Sequence, residues 1–285
     1  MTTDIPFTKM HGLGNDFILV EGKHWPDSLR VERATEKICD RHFGIGADGL
    51  IIIVPPERED CELKWLFYNS DGSEAEMCGN GIRCLAHYAI DKGLVKNRSF
   101  GVETLAGRKE LQVQEDGRIR VDMGEPVLRR SDIPMLGPEA ERVVGEELEA
   151  GDSAFIITAL SMGNPHCVSF TDDVDNFDLE KYGPLIENHA AFPNRVNAEF
   201  VQIINRNHVQ MRIWERGAGI TLASGTGSCA AAVASMVNGL VERKVTVTPP
   251  GGDLEIEWDE NSNHVFMTGP AEYVFSGKVE SALLE

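Results

Sequence analysis

The chain has no apolar run long enough to cross a membrane as a helix. Its most hydrophobic stretch, Leu50-Ile-Ile-Ile-Val54, has the length of a strand. It opens Met-Thr-Thr-Asp-Ile-Pro-Phe-Thr-Lys, with no basic segment leading into an apolar one, so no secretory leader and no membrane partner are expected. Cysteine is sparse: positions 39, 61, 78, 84, 167 and 229, none at paired zinc-ligand spacing, and with Cys78 and Cys84 too far apart for a redox pair. No metal is therefore expected, and reduced thiols in a cytoplasm are the consistent environment. Basic residues are outnumbered, 27 Lys and Arg against 46 Asp and Glu, for a net charge of −19. A field of that sign repels phosphate backbones and excludes nucleic acid as a partner. It does not exclude a small anion, because helix termini and arginines dominate locally inside a cleft.

What the chain does have is 285 residues with 42% apolar content, enough for two domains with a core each. The most informative stretch is Glu76-Met-Cys-Gly-Asn-Gly-Ile-Arg-Cys84. A helix-like apolar run follows it (Ile82, Cys84, Leu85, Tyr88, Ala89) and closes at Lys92-Gly93, a basic last turn and a C-cap glycine. Cys78 thus falls at a helix N-terminus, where the helix dipole and unpaired N–H groups favour thiolate and seat an anion. The plainer alternative is a small core cysteine that happens to precede a helix.

The pattern recurs. Ser224-Gly-Thr-Gly-Ser-Cys-Ala230 opens a second apolar run, Ala230 to Val237, closed by Gly239. Trp214-Glu215 precedes Ser224 as Tyr68-Asn69 precedes Cys78, and the Gly14-Asn15 pair has its counterpart in Gly163-Asn164. Three matches in order, at nearly one displacement, argue for an internal duplication. The reading is α+β: two similar pseudo-symmetric domains, 1–125 and 126–285, with the C-terminal strands free to return to the first. Each is a barrel-like curled sheet around a central helix, with the active site in the cleft where Cys78 and Ser224 face each other.

Within the first half, a helix is expected over 29–40 and strands over 17–21, 50–54, 64–68, 100–104, 109–114 and 118–122. Residues 125–152, rich in Pro, Arg and Glu and weakly periodic, read as the inter-domain connection. The second half offers strands over 154–160, 167–170, 198–204, 209–214, 244–248, 254–258, 265–268 and 272–275, a helix over 179–189, and the helix after Ser224.

Two helix N-termini aimed at one ligand suit proton transfer on both faces of one carbon, which is what stereoinversion needs. The anion seats activate the carbon acid by binding its carboxylate. No pyridoxal-type lysine context is evident, so no cofactor is expected and side chains do the acid–base work. His166 and Glu215 are the titratable neighbours that would set opposite protonation states on the two sides; a structural hydrogen bond is the alternative for His166. Arg216 would pair with a second carboxylate, unless it is a solvated surface arginine.

Seven segments together resemble the diaminopimelate epimerase family over nearly the whole chain. They are Lys9-Met-His-Gly-Leu-Gly-Asn-Asp-Phe17, Asp40-Arg-His-Phe-Gly-Ile-Gly46, Asn69-Ser-Asp-Gly-Ser-Glu74, Met77-Cys-Gly-Asn-Gly-Ile-Arg-Cys84, Ser161-Met-Gly-Asn-Pro-His-Cys167, Trp214-Glu-Arg-Gly-Ala-Gly219 and Met267-Thr-Gly-Pro-Ala271. The resemblance implies a cofactor-independent isomerase of lysine and cell-wall biosynthesis that interconverts LL- and meso-2,6-diaminoheptanedioate with two cysteines. It assigns Cys78 as the first catalytic cysteine and the N–H groups of Gly79 and Asn80 as its anion seat. Asn15, Asn69, Asn164, Asn197, Glu215 and Arg216 become substrate-binding positions, Gly225 and Thr226 the second seat, and His166 with Glu215 the residues that tune the thiols. Family members often dimerise, so a homodimer is among the implied partners.

Two departures stand out. Many family members carry Gln where this chain has Gly49, which removes one contact to the distal end of the substrate. Ser224 stands where the resemblance places the second cysteine, and a hydroxyl is a far weaker acid than a thiol. Three readings follow: an engineered Cys→Ser substitution, a natural slow or inactive relative that only binds an amino dicarboxylate, or a thiol/hydroxyl amino-acid dehydratase of the proline-racemase-like group. The first is preferred, and the otherwise intact diaminopimelate motifs weigh against the third.

Overall fold

The computed structural model describes residues 4–138 and 141–285. Residues 139 and 140, inside the stretch read as a connection, and residues 1–3 of the N-terminal segment lie outside the described residues. The fold is mixed α/β, and the chain divides into two compact units. One holds Met1–Val121 with Gly269–Glu285; the other holds Asp122–Thr268.

In the first unit, β1 (Asp4–Gly12) and β2 (Asn15–Glu21) form an antiparallel hairpin. Its two-residue turn places Leu13 at φ 57° and Gly14 at φ 85°, the two positive angles that match the twist of paired strands. The turn thereby puts Asn15 at the first position of β2. Helix α1 (Val31–Cys39) connects β2 to β3 (Gly49–Val54), which lies parallel to β2. β4 (Leu63–Asn69) returns antiparallel to β3. Helix α2 (Gly79–Asp91) then leads to β5 (Ser99–Thr104), parallel to β4, and the meander β6 (Gly107–Val113) and β7 (Ile119–Asp122) follows. The C-terminal strand, Glu272–Glu280, pairs antiparallel with β1.

The second unit repeats this order of connections. β8 (Val143–Ala150) pairs with β9 (Ser153–Ser161), which forms a hairpin with β10 (Pro165–Phe170) through Gly163 at φ 95°. Helix α3 (Leu179–Glu187) leads to β11 (Asn197–Asn205), parallel to β10, and β12 (His208–Glu215) returns antiparallel. After the short β13 (Gly219–Ile220), helix α4 (Gly225–Val237) leads to β14 (Lys244–Thr248), parallel to β12. β15 (Leu254–Trp258) and β16 (Val265–Gly269) complete the meander.

The two pattern-bearing helices are more enclosed than α1 and α3. α2 lies against β1, β2, β3 and β6, and α4 against β9, β10, β11, β12, β14 and β15. A helix touched by that many strands keeps almost no solvent face, and its composition shows it. Residues Cys229, Ala230, Ala231, Ala232, Val233 and Ala234 of α4 are all fully buried. Small side chains permit so many strands to approach one helix. No helix among the described residues is long and apolar enough to cross a membrane.

The expected connection over 125–152 is corrected by β8. Val143, Leu148 and Ala150 are buried while Glu147 and Glu149 point to solvent, an ordinary half-buried strand. Gly145 at φ 66° marks a bulge that shifts the register between Val144 and Glu146. That extra residue breaks the two-residue alternation, so the segment reads as aperiodic. The C-terminal strand also runs to Glu280, beyond the expected end at residue 275. β1 is a strand of nine residues whose sequence carries no clean alternation and so gives no strand signal.

Candidate active site

Cys78 is the N-cap of α2. Its backbone is extended (φ −143°, ψ 116°), and Sγ accepts the N–H of Gly81 at 3.4 Å. The sulfur thus replaces the missing intrahelical acceptor of one first-turn donor. Ser224 takes the same place on α4: φ −128°, ψ 122°, with Oγ accepting the N–H of Gly227 at 3.3 Å. Both third helical positions are glycine for a packing reason. A Cβ at Gly81 would stand 3.3 Å from Ile51 Cδ1, and one at Gly227 only 2.6 Å from Ile213 Cδ1. The glycines let each helix start press against its own sheet. Cys78 is partly exposed; Ser224 is buried.

Around Cys78 the first unit gathers a polar network. Asn15 Oδ1 lies 3.7 Å from Cys78 Sγ and accepts from Asn80 Nδ2 at 3.1 Å. Asn15 Nδ2 donates to Asp48 Oδ2 at 2.7 Å, which fixes the amide so that its oxygen faces the sulfur. Asp48 in turn accepts from Arg41, and Arg41 makes a two-point contact with Asp16 at 3.2 and 2.7 Å. Lys9 Nζ completes the chain, 2.8 Å from Asp16. Burial raises the Asp16 carboxyl, but Arg41 and Lys9 outweigh burial and hold it below its ordinary value. Arg83, fully buried one turn into α2, donates to Gly79 O at 3.2 Å and Pro270 O at 3.0 Å, tying the helix start to the segment before the C-terminal strand. Asn69, also expected at the site, is exposed and bonds Ser73 within its own turn.

In the second unit, His166 sits at the start of β10 with both ring nitrogens engaged. Nδ1 meets Glu199 Oε1 at 2.6 Å and Nε2 meets Asn164 Oδ1 at 2.8 Å. His166 and Glu199 are both 0% exposed. Glu199 Oε1 and Ser224 Cβ each lie 3.1 Å from the point a Cβ on Gly227 would occupy, so the carboxyl reaches the first turn of α4. Asn197, buried on β11, donates to Pro165 O at 2.9 Å and accepts from the Arg216 N–H at 2.9 Å. It therefore shapes the loop that carries Arg216, whose exposed guanidinium bonds Asn194 O at 3.0 Å. Glu215 accepts from Thr221 Oγ1 at 2.5 Å. Gly225 is buried and Thr226 half-buried in the first turn of α4. Among the described residues no cluster of His, Cys, Asp and Glu is arranged to hold a metal ion.

Sequence reasoning missed Glu199, Asp48, Asp16, Arg41 and Lys9 as members of these networks. A signal existed for Glu199. It is a lone charge in the buried run Asn197-Ala-Glu-Phe-Val201, two residues after Asn197 and so on the same strand face.

The diaminopimelate epimerase family profile matches residues 7–129 and 158–274 of the chain. The chain is 53% identical over 281 residues to the diaminopimelate epimerase of Acetivibrio thermocellus, a match covering 96% of this chain and 98% of that protein. It is 52% identical over 280 residues to the diaminopimelate epimerase of Heliobacterium modesticaldum, covering 96% and 99%. Among solved structures, a phenazine biosynthesis protein of the PhzF family from Bacillus anthracis superposes with a TM-score of 0.69 at 17% identity, covering 97% of this chain and 99% of that one, a likeness of fold.

Proposed function

The chain belongs to the diaminopimelate epimerase family, and from that premise we propose that it is a cofactor-independent isomerase acting between LL- and meso-2,6-diaminoheptanedioate in lysine biosynthesis, slowed here by a hydroxyl at its second base. The observation that carries this reading is the matched pair of helix starts: a thiol capping α2 and a hydroxyl capping α4, each holding the N–H three residues on.

In this proposal a substrate α-carboxylate rests on the first-turn N–H groups of Gly79 and Asn80, with Gly225 and Thr226 serving from the other helix. Sγ of Cys78 takes the α-proton as a thiolate and becomes a thiol, and the electron pair spreads into the bound carboxylate. Inversion then requires a proton from the opposite face, the task of residue 224. A thiol with a pKa of about 8.5 does this readily, and a serine hydroxyl does not. Asn15, Asn69, Asn164, Asn197, Glu215 and Arg216 orient the amino and distal carboxylate groups, while His166 and Glu215 adjust the protonation of the two bases. Each unit in this reading is a sheet curled around its central helix, and the enzyme works in the cytoplasm as a homodimer.

A second reading is favoured by one observation only, the hydroxyl at position 224: a relative that binds an amino dicarboxylate without turning it over. Chiral analysis of LL substrate incubated with the parent chain and with Ser224→Cys separates the two. Formation of meso product rising by at least about a hundredfold in Ser224→Cys supports the epimerase. Binding with no turnover in either protein supports the second reading, and loss of water from a hydroxylated amino acid would instead indicate a dehydratase.

A further inference from the structure

We infer that Glu199 is a positioning residue that works through His166 to orient the carboxamide of Asn164, so that Asn164 presents its Nδ2 hydrogens to a ligand carboxylate. The inference rests on the proposed binding role of Asn164.

The three side chains form one line. Glu199 Oε1 meets His166 Nδ1 at 2.6 Å, and His166 Nε2 meets Asn164 Oδ1 at 2.8 Å. A carboxamide oxygen only accepts, so Nε2 carries a hydrogen. The Nδ1–Oε1 contact needs a hydrogen as well. The pair therefore holds two protons and no net charge, whether as imidazolium and carboxylate or as imidazole and carboxylic acid. Net neutrality is what two fully buried titratable groups require, since an unpaired charge at that depth is costly. The charged and titratable neighbours are Glu215 and Cys167. Burial, and more weakly the Glu215 charge, raise the Glu199 carboxyl above its ordinary value, against the pull of His166. Cys167 is itself raised, by burial first and by Glu199 second. The Glu215 charge thus favours keeping the shared proton in place, while the Cys167 thiol, held neutral, adds no opposing charge.

The consequence falls on Asn164. With Oδ1 occupied by Nε2–H, the amide cannot turn over without placing its own hydrogens against a ring hydrogen. Its Nδ2 end is left to the ligand, and an N–H₂ group recognises a carboxylate. The couple is fixed because neither partner has anywhere to move. Glu199 projects from the middle of the buried run 197–201 of β11, and its Oε1 also borders the Gly227 turn. Its second oxygen, Oε2, has no hydrogen-bond partner among the described residues, so the pairing with His166 is the contact that holds the carboxyl.

The test combines a ligand-free readout with a binding cycle. Long-range nitrogen–proton correlation spectra of the histidine-labelled chain, with and without Glu199→Ala, should show the His166 hydrogen fixed on Nε2 in the parent and the ring free to change tautomer in the variant. Calorimetric titration with meso-2,6-diaminoheptanedioate should show about tenfold weaker binding in Glu199→Ala, recovery in Glu199→Gln, whose amide can donate to Nδ1, and no further loss when Glu199→Ala is added to Asn164→Ala. A parent His166 with a bare Nε2, or losses that add in the double variant, would overturn the inference. Failure of every protein to bind the diamino acid would overturn the proposed substrate instead, and the spectra would still decide the role of Glu199.

Discussion

The sulfur of Cys78 stands 3.7 Å from the carboxamide oxygen of Asn15, which is locked by the 2.7 Å bond from its nitrogen to Asp48. The carboxamide oxygen accepts the hydrogen of the thiol and, being neutral, opposes the thiolate far less than a carboxylate would. Asn15→Asp puts a carboxylate against the thiolate and should slow alkylation of Cys78 by about tenfold or more. Rate constants for iodoacetamide at pH 8 measure this, and an unchanged rate would mean that the contact does not govern the thiol.

The same network separates Cys78 from the other cysteines. Burial, with help from the Asp16 and Asp48 carboxylates, pushes the Cys39 thiol up to about 12, and burial does the same to Cys84. Cys61 and Cys167 are raised as well, and Cys229 is fully buried. Cys78 alone is partly exposed among the six. Mass-spectrometric mapping of limited alkylation should therefore find Cys78 labelled first, and bound diamino dicarboxylate should protect it.

Acid stability should report the Asp16 pairs. Asp16 has a folded pKa below its unfolded value, so its contribution is complete above about pH 4 and is lost as the pH falls through the folded value. Asp16→Asn should cost roughly 1–3 kcal/mol at pH 7 and proportionally less at pH 3, where the parent has begun to lose the same pairs. Urea unfolding at both pH values measures the difference; an equal loss at pH 3 would contradict the assignment.

Gly49 gives a prediction in the opposite sense to family expectation. A Cβ at this position would lie 2.7 Å from Phe67 Cε2 and 2.7 Å from Tyr68 O, a ring and a backbone atom of the neighbouring strand. Gly49→Gln should destabilise the chain by about 1–3 kcal/mol rather than restore a distal substrate contact. A thermal melt that stays in place, together with tighter substrate binding, would show that β4 yields.

What the sequence made legible was the local grammar. Cys78 and Ser224 are N-caps because the Gly-x-Gly that follows each lets a helix start hard against a strand, and that short pattern is written in consecutive residues. The long-range partners were not legible in the same way. Asp48 meets Asn15, and Glu199 meets His166, because a parallel crossover brings β3 beside β2 and β11 beside β10. Nothing adjacent in the chain announces such neighbours, although the lone charge of Glu199 in a buried run was a usable hint. β8 was hidden by its bulge, since the extra residue at Gly145 erases the periodicity on which a strand is recognised.

The most direct test of the account is solvent isotope exchange at the α-carbon. With Cys78 as the one competent base, deuterium from D₂O should enter one of the two stereoisomers slowly and with retention, since the group that removes the proton also returns it. Net inversion should be lower than in Ser224→Cys by about 10²–10⁴. Mass and chiral analysis of LL and meso substrate, incubated separately, read both quantities. Retention with slow exchange is the predicted result. Fast inversion from both directions with Ser224 in place would contradict the account and assign the second base to another residue.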